Sequence, residues 1–286
     1  MKPLPMLSAV AVFFVLCTAG TSAQEKLTLT YRFTPGATYL YADTVRSTQS
    51  QEMMGQEMKI TTFGTSQARI VVEAQRADGV LSLVTSLDSM RVTSKTPMRD
   101  TTLVMKDLLG KRTRILLQAN GTVTNREIID SMKLSGIMAR SMSMRETARF
   151  HRLPKDPVAV GGTWKSDVID STDMMGGNVI SHHQLEYTVA GTAMRGTHSC
   201  LQIVFKGDIG VEGKGSMMGS ELFIEGKGKT TGTVVFDPAR GIVVSEEAST
   251  DIEMTAAVTG QQNMTIPISQ SARTVHVLIS IAGGGN

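Results

Sequence analysis

The chain has 286 residues, of which 29 are Lys or Arg and 26 are Asp or Glu, so its net charge is only +3. A charge this close to zero excludes a strongly basic surface, and we expect no nucleic-acid partner. Aromatic residues make up only 5% of the chain and there are 19 methionines, so one interpretation of the methionines is that they fill gaps in a core poor in aromatic residues. The length suits one large domain or two modest ones.

The first 23 residues have the three parts of a secretory signal peptide. Lys2 provides a positive charge, residues 7–16 are mainly apolar, and small residues precede Gln24. The apolar stretch has about half of the ~20 residues that span a bilayer. We therefore predict cleavage after Ala23, a mature chain without a transmembrane segment, and export to the periplasm or the medium.

The chain has two cysteines, which limit its possible lipidation, disulfide and thiol chemistry. Cys17 lies within the signal peptide, where the bulky Leu16 before it disfavours lipoprotein processing; a lipid-anchored form is the minor alternative. Cys200 would be the one cysteine of the mature chain, which therefore has no internal disulfide. Nothing in its neighbourhood besides His198 suggests an activating base, and we expect a buried, unreactive thiol.

Alternating apolar residues predict β-strands along most of the mature chain. Asp78-Gly79, Asn120-Gly121 and residues 237–241 are typical of hairpin turns between them. The sequence therefore predicts a mainly antiparallel β protein. The predicted strands are 27–33, 68–74, 80–87, 115–118, 185–189, 201–205, 222–224, 234–236, 242–244 and 275–281.

One segment breaks this pattern. From Arg126 to about Phe150, glycine and proline nearly vanish, and apolar residues recur at spacings of three and four. This spacing predicts one or two helices, which Pro154 and Pro157 would end. We therefore predict a helical insert at about 126–150.

Three motifs occur twice and in the same order. The pairs are Gly36-Ala37-Thr38-Tyr39 with Gly161-Gly162-Thr163-Trp164, Met53-Met54-Gly55 with Met174-Met175-Gly176, and Asn120-Gly121-Thr122-Val123 with Arg240-Gly241-Ile242-Val243. They predict an internal duplication, with residues 24–150 and 151–286 as two β-rich repeats or as parts of one continuous domain, 24–286. Two duplicated meanders would form a curved sheet, a sandwich or a half-barrel.

Residues 153–164 resemble the central P-x-x-P-V-x-x-G-x-x-W segment of a family of uncharacterised secreted bacterial proteins, a domain of unknown function. Residues 31–36 and 232–241 are similar to the opening and closing segments of that family. The resemblance spans most of the mature chain and implies export and a duplicated β-rich fold. It implies no catalytic residues.

Methionine clusters are the main candidate binding residues. Met-Met-Gly units on hairpin tips would grip an apolar ligand or partner, because methionine adapts to varied apolar surfaces. Thioethers are also soft metal ligands, so a copper site is the alternative, although no histidine adjoins a Met pair. The candidates are Met53, Met54, Met132, Met138, Met142, Met144, Met174, Met175, Met217 and Met218.

The other residue types form no catalytic or metal motif. His182 and His183 would point to opposite faces of a strand, and residues 226–231 lack the first glycine of a phosphate loop. We therefore expect a non-catalytic binding or structural protein of the envelope, without a cofactor. Its partner would be an envelope protein or an apolar, lipid-like ligand inside a curved sheet, gated by residues 132–144. A hydrolase whose site gathers residues distant in sequence is the remaining alternative.

Overall fold

The computed structural model describes residues 26–53, 55–130, 150–174, 177–217, 220–260 and 263–284. Within these ranges the chain forms twelve β-strands and one turn of 3-10 helix, Lys106–Leu108. The strands are β1 Ala37–Met53, β2 Gln56–Gln75, β3 Leu81–Lys95, β4 Asp100–Val104, β5 Thr113–Leu117, β6 Val123–Ile128, β7 Thr163–Met174, β8 Gly177–Arg195, β9 His198–Met217, β10 Ser220–Asp237, β11 Ile242–Thr259 and β12 Met264–Gly283.

All twelve strands belong to one sheet, in the order β6-β5-β3-β2-β1-β12-β11-β10-β9-β8-β7, with β4 paired to β3. Every ladder between them is antiparallel, from β1–β2 through to β7–β8. The sheet does not close, since β6 and β7 form its two edges in the part of the chain that is described. The prediction of a mainly antiparallel β meander is confirmed.

Both predicted repeats contribute to this sheet. Strands β1–β6 and β7–β12 follow the same direction across it, and β1 meets β12 at the seam, where Ala37 lies opposite Gly283 and Gln51 opposite Ile268. The two members of one motif pair stand at the starts of strands. Gly36 precedes β1 and Gly161 precedes β7, and both glycines have a positive φ. The duplication itself stays a prediction.

The strands are far longer than the sequence pattern indicated. The predicted strand 201–205 is part of the 20-residue β9, and 222–224 is part of the 18-residue β10. The extensions are rich in glycine because neighbouring backbones approach closely. A Cβ added at Gly228 would lie 2.3 Å from the carbonyl oxygen of Asp251.

Two sequence-based elements are wrong. Residues 27–33 do not form a strand; they cross the interior, with a single β-bridge between Leu27 and Val158. Their alternation arises because Leu29, Tyr31 and Phe33 enter the core while the residues between them face outward. The helical insert is contradicted at its start, where residues 126–128 complete β6 and pair with β5. Residues 131–149 lie outside the described ranges.

The main core occupies one end of the sheet, here called the core end. It joins residues of β5, such as Leu117, to residues of β8 and β9, such as Tyr187 and Ile203. Strands so distant in a flat sheet would lie tens of ångströms apart, so the sheet must curl around its core. Tyr31 stands at the centre, with its ring edge-to-face with Phe150 at 5.5 Å and with Phe236 at 5.8 Å.

Residues 150–158, here called the bridging segment, link the two edges of the sheet at the core end. The N–H of Leu153 donates to the carbonyl of Asn120 in the β5–β6 turn at 2.9 Å. On the other side, Nε1 of Trp164 on β7 donates to the carbonyl of Arg152 at 2.8 Å. The segment therefore holds the sheet in its curved form.

The turn between β10 and β11 contains a fully buried carboxylate, Asp237. Its Oδ1 accepts the N–H groups of Ala239 and Arg240 at 2.9 and 3.0 Å, and its Oδ2 accepts Nε of Arg240 at 2.6 Å. Burial alone would raise the pKa of Asp237, but the N–H and guanidinium of Arg240 outweigh it, so the pKa is lowered.

We predict that Asp237→Ala lowers the free energy of unfolding by about 3 kcal/mol at pH 7, because it removes the hydrogen bonds to a buried carboxylate and leaves the N–H groups of Ala239 and Arg240 without their acceptor. Because the folded pKa is depressed, this stability is present above the unfolded pKa of about 3.9 and is lost as the pH falls through the folded pKa. Urea unfolding between pH 7 and pH 2 measures both effects. The exposed turn residue Asp78 is the control, and equal costs for Asp78→Ala and Asp237→Ala would contradict the prediction.

Candidate ligand-binding site

Beyond the core, the inner face of the sheet combines apolar side chains, mainly on β10–β12, with uncharged polar ones such as Ser47, Gln49 and Gln51 on β1. On β9–β12, β1 and β2, the described inner positions past the core carry no charged side chain. We call this surface the trough. Its apolar members are Ile209, Val211, Leu222, Ile224, Ala248, Ile252, Met254, Ala256, Val258, Met264, Ile266, Ile268, Val45, Met58 and Ile60.

The outer face of the same strands is charged. Two aromatic side chains on this face lie under cations: Arg46 lies 5.0 Å from the ring of Phe63, and Lys214 lies 5.7 Å from the ring of Phe223. The sheet is therefore amphipathic over its full length. The charged outer positions include Lys206, Asp208, Glu212, Lys214, Glu225, Lys227, Lys229, Asp251, Glu253, Arg273, Arg46 and Lys59.

The trough has its own apolar cluster at the end of the sheet opposite the core, here called the far end. Leu222, Ala256 and Val258 are buried there, and Ile266 and Ile268 pack against them. The register places Met254 opposite Ile268 and Ala256 opposite Ile266, so these side chains share one face. Two apolar regions thus lie along the inner face, the core at one end and this cluster at the other.

A cavity of about 380 Å³, here called the polar cavity, lies between the core and the trough. Hydroxyl groups dominate its polar lining, with Asp170 and Glu246 as its carboxylates and Arg152 as the one lysine or arginine among the described lining residues. Depressions of about 690 and 850 Å³ also exist, but charged side chains such as Glu57 and Lys206 line them. The hydroxyl residues of the polar cavity are Ser166, Ser181, Thr230, Thr250 and Thr274.

The charged groups of the polar cavity have opposite charges or polar partners nearby. The Arg152 guanidinium donates to the carbonyl of Gly121; burial lowers its pKa, and the charge of Asp170 opposes that shift. Burial also lowers the pKa of His183, again against the charge of Asp170. Burial therefore favours the neutral form of His183 near pH 7.

A row of polar contacts separates the polar cavity from the core. His151 Nε2 lies 3.1 Å from Glu246 Oε2, and its Nδ1 lies 3.2 Å from the hydroxyl of Tyr187, whose pKa is raised by burial. Further along, Asp43 lies 2.5 Å from His276 Nδ1, and the imidazole stacks on Tyr41 at 4.3 Å. These contacts allow polar groups to remain on an otherwise apolar face.

The hydrolase alternative needs a nucleophile held against a base. His183 and Asp170 do line one cavity together with Ser181, but the Ser181 hydroxyl makes no hydrogen bond to any described residue. In the other Ser, Asp and His group, Ser66 donates to Asp43, so the carboxylate stands between the serine and His276. Neither arrangement activates a serine.

The structure places three of the predicted site residues at strand ends. β1 ends at Met53, β7 at Met174 and β9 at Met217, and the register puts all three strand ends at the far end. Nothing is described of the side chains at these positions. The remaining candidates, Met54, Met132, Met138, Met142, Met144, Met175 and Met218, lie outside the described residues.

The methionines that do line the trough are Met58, Met254 and Met264, and none of them is among the predicted site residues. The signal was available as strict alternation, since Met254 lies between Glu253 and Thr255 and is flanked two positions away by Ile252 and Ala256.

The other histidine and cysteine expectations fit the strand geometry. His182 faces outward, 2.5 Å from Asp167, while His183 faces the polar cavity. Cys200 is buried, and burial raises its thiol pKa. Among the described residues, no group of three or more His, Cys, Asp or Glu side chains is arranged to hold a metal ion. Within the same ranges, no helix has the length and apolar character needed to cross a membrane.

No protein-family model matches the chain, and no curated protein is significantly similar to it. A structure of lipovitellin that addresses its lipid–protein interactions is similar, with a TM-score of 0.53, 11% identity, and coverage of 89% of this chain and 26% of that chain. This chain thus spans about a quarter of the lipovitellin chain, and at this identity the likeness shows the fold alone.

Outer-membrane-type structures also match weakly. OpdQ of Pseudomonas aeruginosa has a TM-score of 0.23 at 6% identity, with coverage of 85% of this chain and 98% of that one. OmpT, an outer membrane protein of Vibrio cholerae, has a TM-score of 0.18 at 7% identity, with the same coverages. At TM-scores this low, these matches support no conclusion about the fold or the role of this chain.

Proposed function

We propose that the protein is a non-catalytic binding protein of the cell envelope that holds a lipid-like ligand on the inner face of its curved sheet. One observation carries this proposal: across six strands the described trough positions are uncharged, with apolar side chains concentrated on β10–β12 and polar uncharged ones on β1, while the outer face of the same strands is charged. Large apolar surfaces on monomeric proteins are rare unless something binds to them.

The dimensions of the trough suit a long acyl chain. The inner positions from Thr230 to Leu222 on β10 span about 26 Å, and six neighbouring strands span about 24 Å. The sheet acts in this proposal as a half-barrel around its ligand. Strands β1, β7 and β9 end at Met53, Met174 and Met217 at the far end, where an apolar ligand would enter in this proposal.

The fold gives secondary support. Lipovitellin, which shares the fold of 89% of this chain, is a protein studied for its lipid interactions. The predicted signal peptide supports an envelope location, where proteins meet lipids. A copper site at the Met-Met-Gly turns is the second candidate, supported only by the residue type.

The proposal predicts a co-purifying lipid. The full chain is expressed in a bacterium, purified from the envelope fraction without detergent, and weighed by native mass spectrometry. We expect a native mass several hundred daltons above the denatured mass, with the excess lost on organic extraction and recovered as lipid. The denatured mass also tests cleavage after Ala23. A bare native mass, together with no fluorescence gain on adding the neutral apolar dye N-phenyl-1-naphthylamine, would contradict the proposal, and mass steps of copper would favour the alternative.

A further inference from the structure

We infer that the polar cavity is a head-group site that selects lipids with an uncharged, hydroxyl-bearing head, such as fatty alcohols and monoacylglycerols, over lipids with an anionic head. The inference rests on the proposed function, because the head group is held here only if its chain lies in the trough.

The position of the polar cavity supports this assignment. Ile209 lines the cavity and is also the first apolar residue of the trough on β9. The register continues from Ile209 through Gly228 to Ile252, so the trough begins directly beside the cavity. A ligand whose head occupies the cavity therefore extends its chain toward the far end. At roughly 30 Å³ per water molecule, about 380 Å³ holds a dozen waters or a glycerol-sized head with its first methylenes.

A buried hydroxyl in the polar cavity lacks a partner. Ser181 is only 4% exposed, and its Oγ has no hydrogen-bond partner within the described ranges. Buried polar side chains are nearly always hydrogen-bonded, so this atom calls for a group supplied from the cavity. Thr230 and Thr250, by contrast, bond each other at 2.9 Å. A hydroxyl head both donates and accepts, and therefore suits Ser181.

The charges of the polar cavity disfavour an anionic head. Arg152 is already bound to the carbonyl of Gly121 and lies in the field of Asp170. Glu246 adds a second carboxylate beside His151. An incoming carboxylate would meet two like charges and one engaged cation in a partly desolvated space, which is unfavourable. A neutral head avoids this repulsion.

The test is a displacement titration with chain-matched probes. Protein loaded with N-phenyl-1-naphthylamine is titrated at pH 8 with 1-dodecanol or with laurate. We expect dodecanol to displace the dye at a concentration at least about fivefold lower than laurate, because charge repulsion at close range is worth a kcal/mol or more. Tighter displacement by laurate would overturn the inference.

Variants locate the site. Ser181→Val is expected to weaken dodecanol binding about three- to tenfold, the worth of one hydrogen bond, while leaving the dye affinity unchanged. Ser271→Val, on the outer face of β12, is the matched control and should change neither. Asp170→Asn is expected to strengthen laurate binding several-fold relative to dodecanol. Thermal unfolding by circular dichroism verifies that each variant is folded.

The outcomes separate the two proposals. If wild-type protein binds the dye, but dodecanol and laurate compete equally and Ser181→Val changes nothing, the head-group site is refuted while the trough stands. If wild-type protein binds neither dye nor lipid, the proposed function fails and the inference fails with it.

Discussion

Replacing Ile268 by glutamate is expected to abolish lipid and dye binding, with at least a 30-fold loss of affinity. Ile268 lies opposite Met254 on one side and Gln51 on the other, and it packs against the apolar cluster at the far end of the trough. A carboxylate there must stay hydrated or take up a proton, and either requirement costs several kcal/mol when an apolar ligand covers it. Fluorescence titration with N-phenyl-1-naphthylamine measures the loss.

The neighbouring residue provides the matched control. Ser269 lies on the same strand but on the exposed outer face, so Ser269→Glu adds the same charge outside the trough. We expect this variant to bind as the wild type does. Ile268→Ala, which removes apolar surface without adding charge, should weaken binding only modestly. Equal binding by both glutamate variants would show that the inner face is not the binding surface.

Gly121→Ala is expected to have the largest effect on stability, more than about 4 kcal/mol or complete loss of the folded state. Gly121 has a φ of +86°, and a Cβ there would lie 2.1 Å from the carbonyl oxygen of His151 and 2.8 Å from the ring of Tyr31. The clash displaces the bridging segment, which holds the edges of the sheet and supplies His151 and Arg152 to the polar cavity. Urea unfolding gives the cost.

A glycine in another turn distinguishes the cost of the steric clash from the cost of the left-handed backbone conformation. Gly79 has a φ of +80°, nearly the same as Gly121, but a Cβ there would meet no atom within 4 Å. Gly79→Ala should therefore cost only the left-handed penalty of about 1–2 kcal/mol. Similar losses in the two variants would show that the contact with His151 is unimportant.

Local chemistry in the sequence was enough to predict the turns and the strand type. Asp78-Gly79 and Asn120-Gly121 do form turns with glycine at positive φ, and residues 237–241 join β10 to β11. Such signals are local, because one or two residues determine the backbone conformation. The lengths of the strands were harder to predict from the sequence. Gly207, Gly228 and their neighbours have low intrinsic β propensity, and they lie in strands because they pair with a neighbouring strand on each side.

The candidate site was harder to predict because it depends on distant parts of the chain. The polar cavity combines His151 and Arg152 with Ser181 on β8 and Glu246 on β11. No spacing in the sequence relates these residues. The apolar alternation on β11 and β12 was readable, but its meaning required knowing that no described segment packs against that part of the inner face. The expectation of an apolar ligand inside a curved sheet came from composition, and the trough gives it a location.

The central seam affects when the ligand site can exist. Every other full-length ladder in the sheet joins strands that are consecutive in the chain, so those hairpins can close while the polypeptide is still being made. The β1–β12 ladder joins residues more than 200 positions apart, as in the contact between Asp43 and His276. Long-range pairings of this kind form late in folding. Two separate half-sheets can therefore form before the seam closes, and the trough, which crosses the seam, is complete only after β12 has paired with β1.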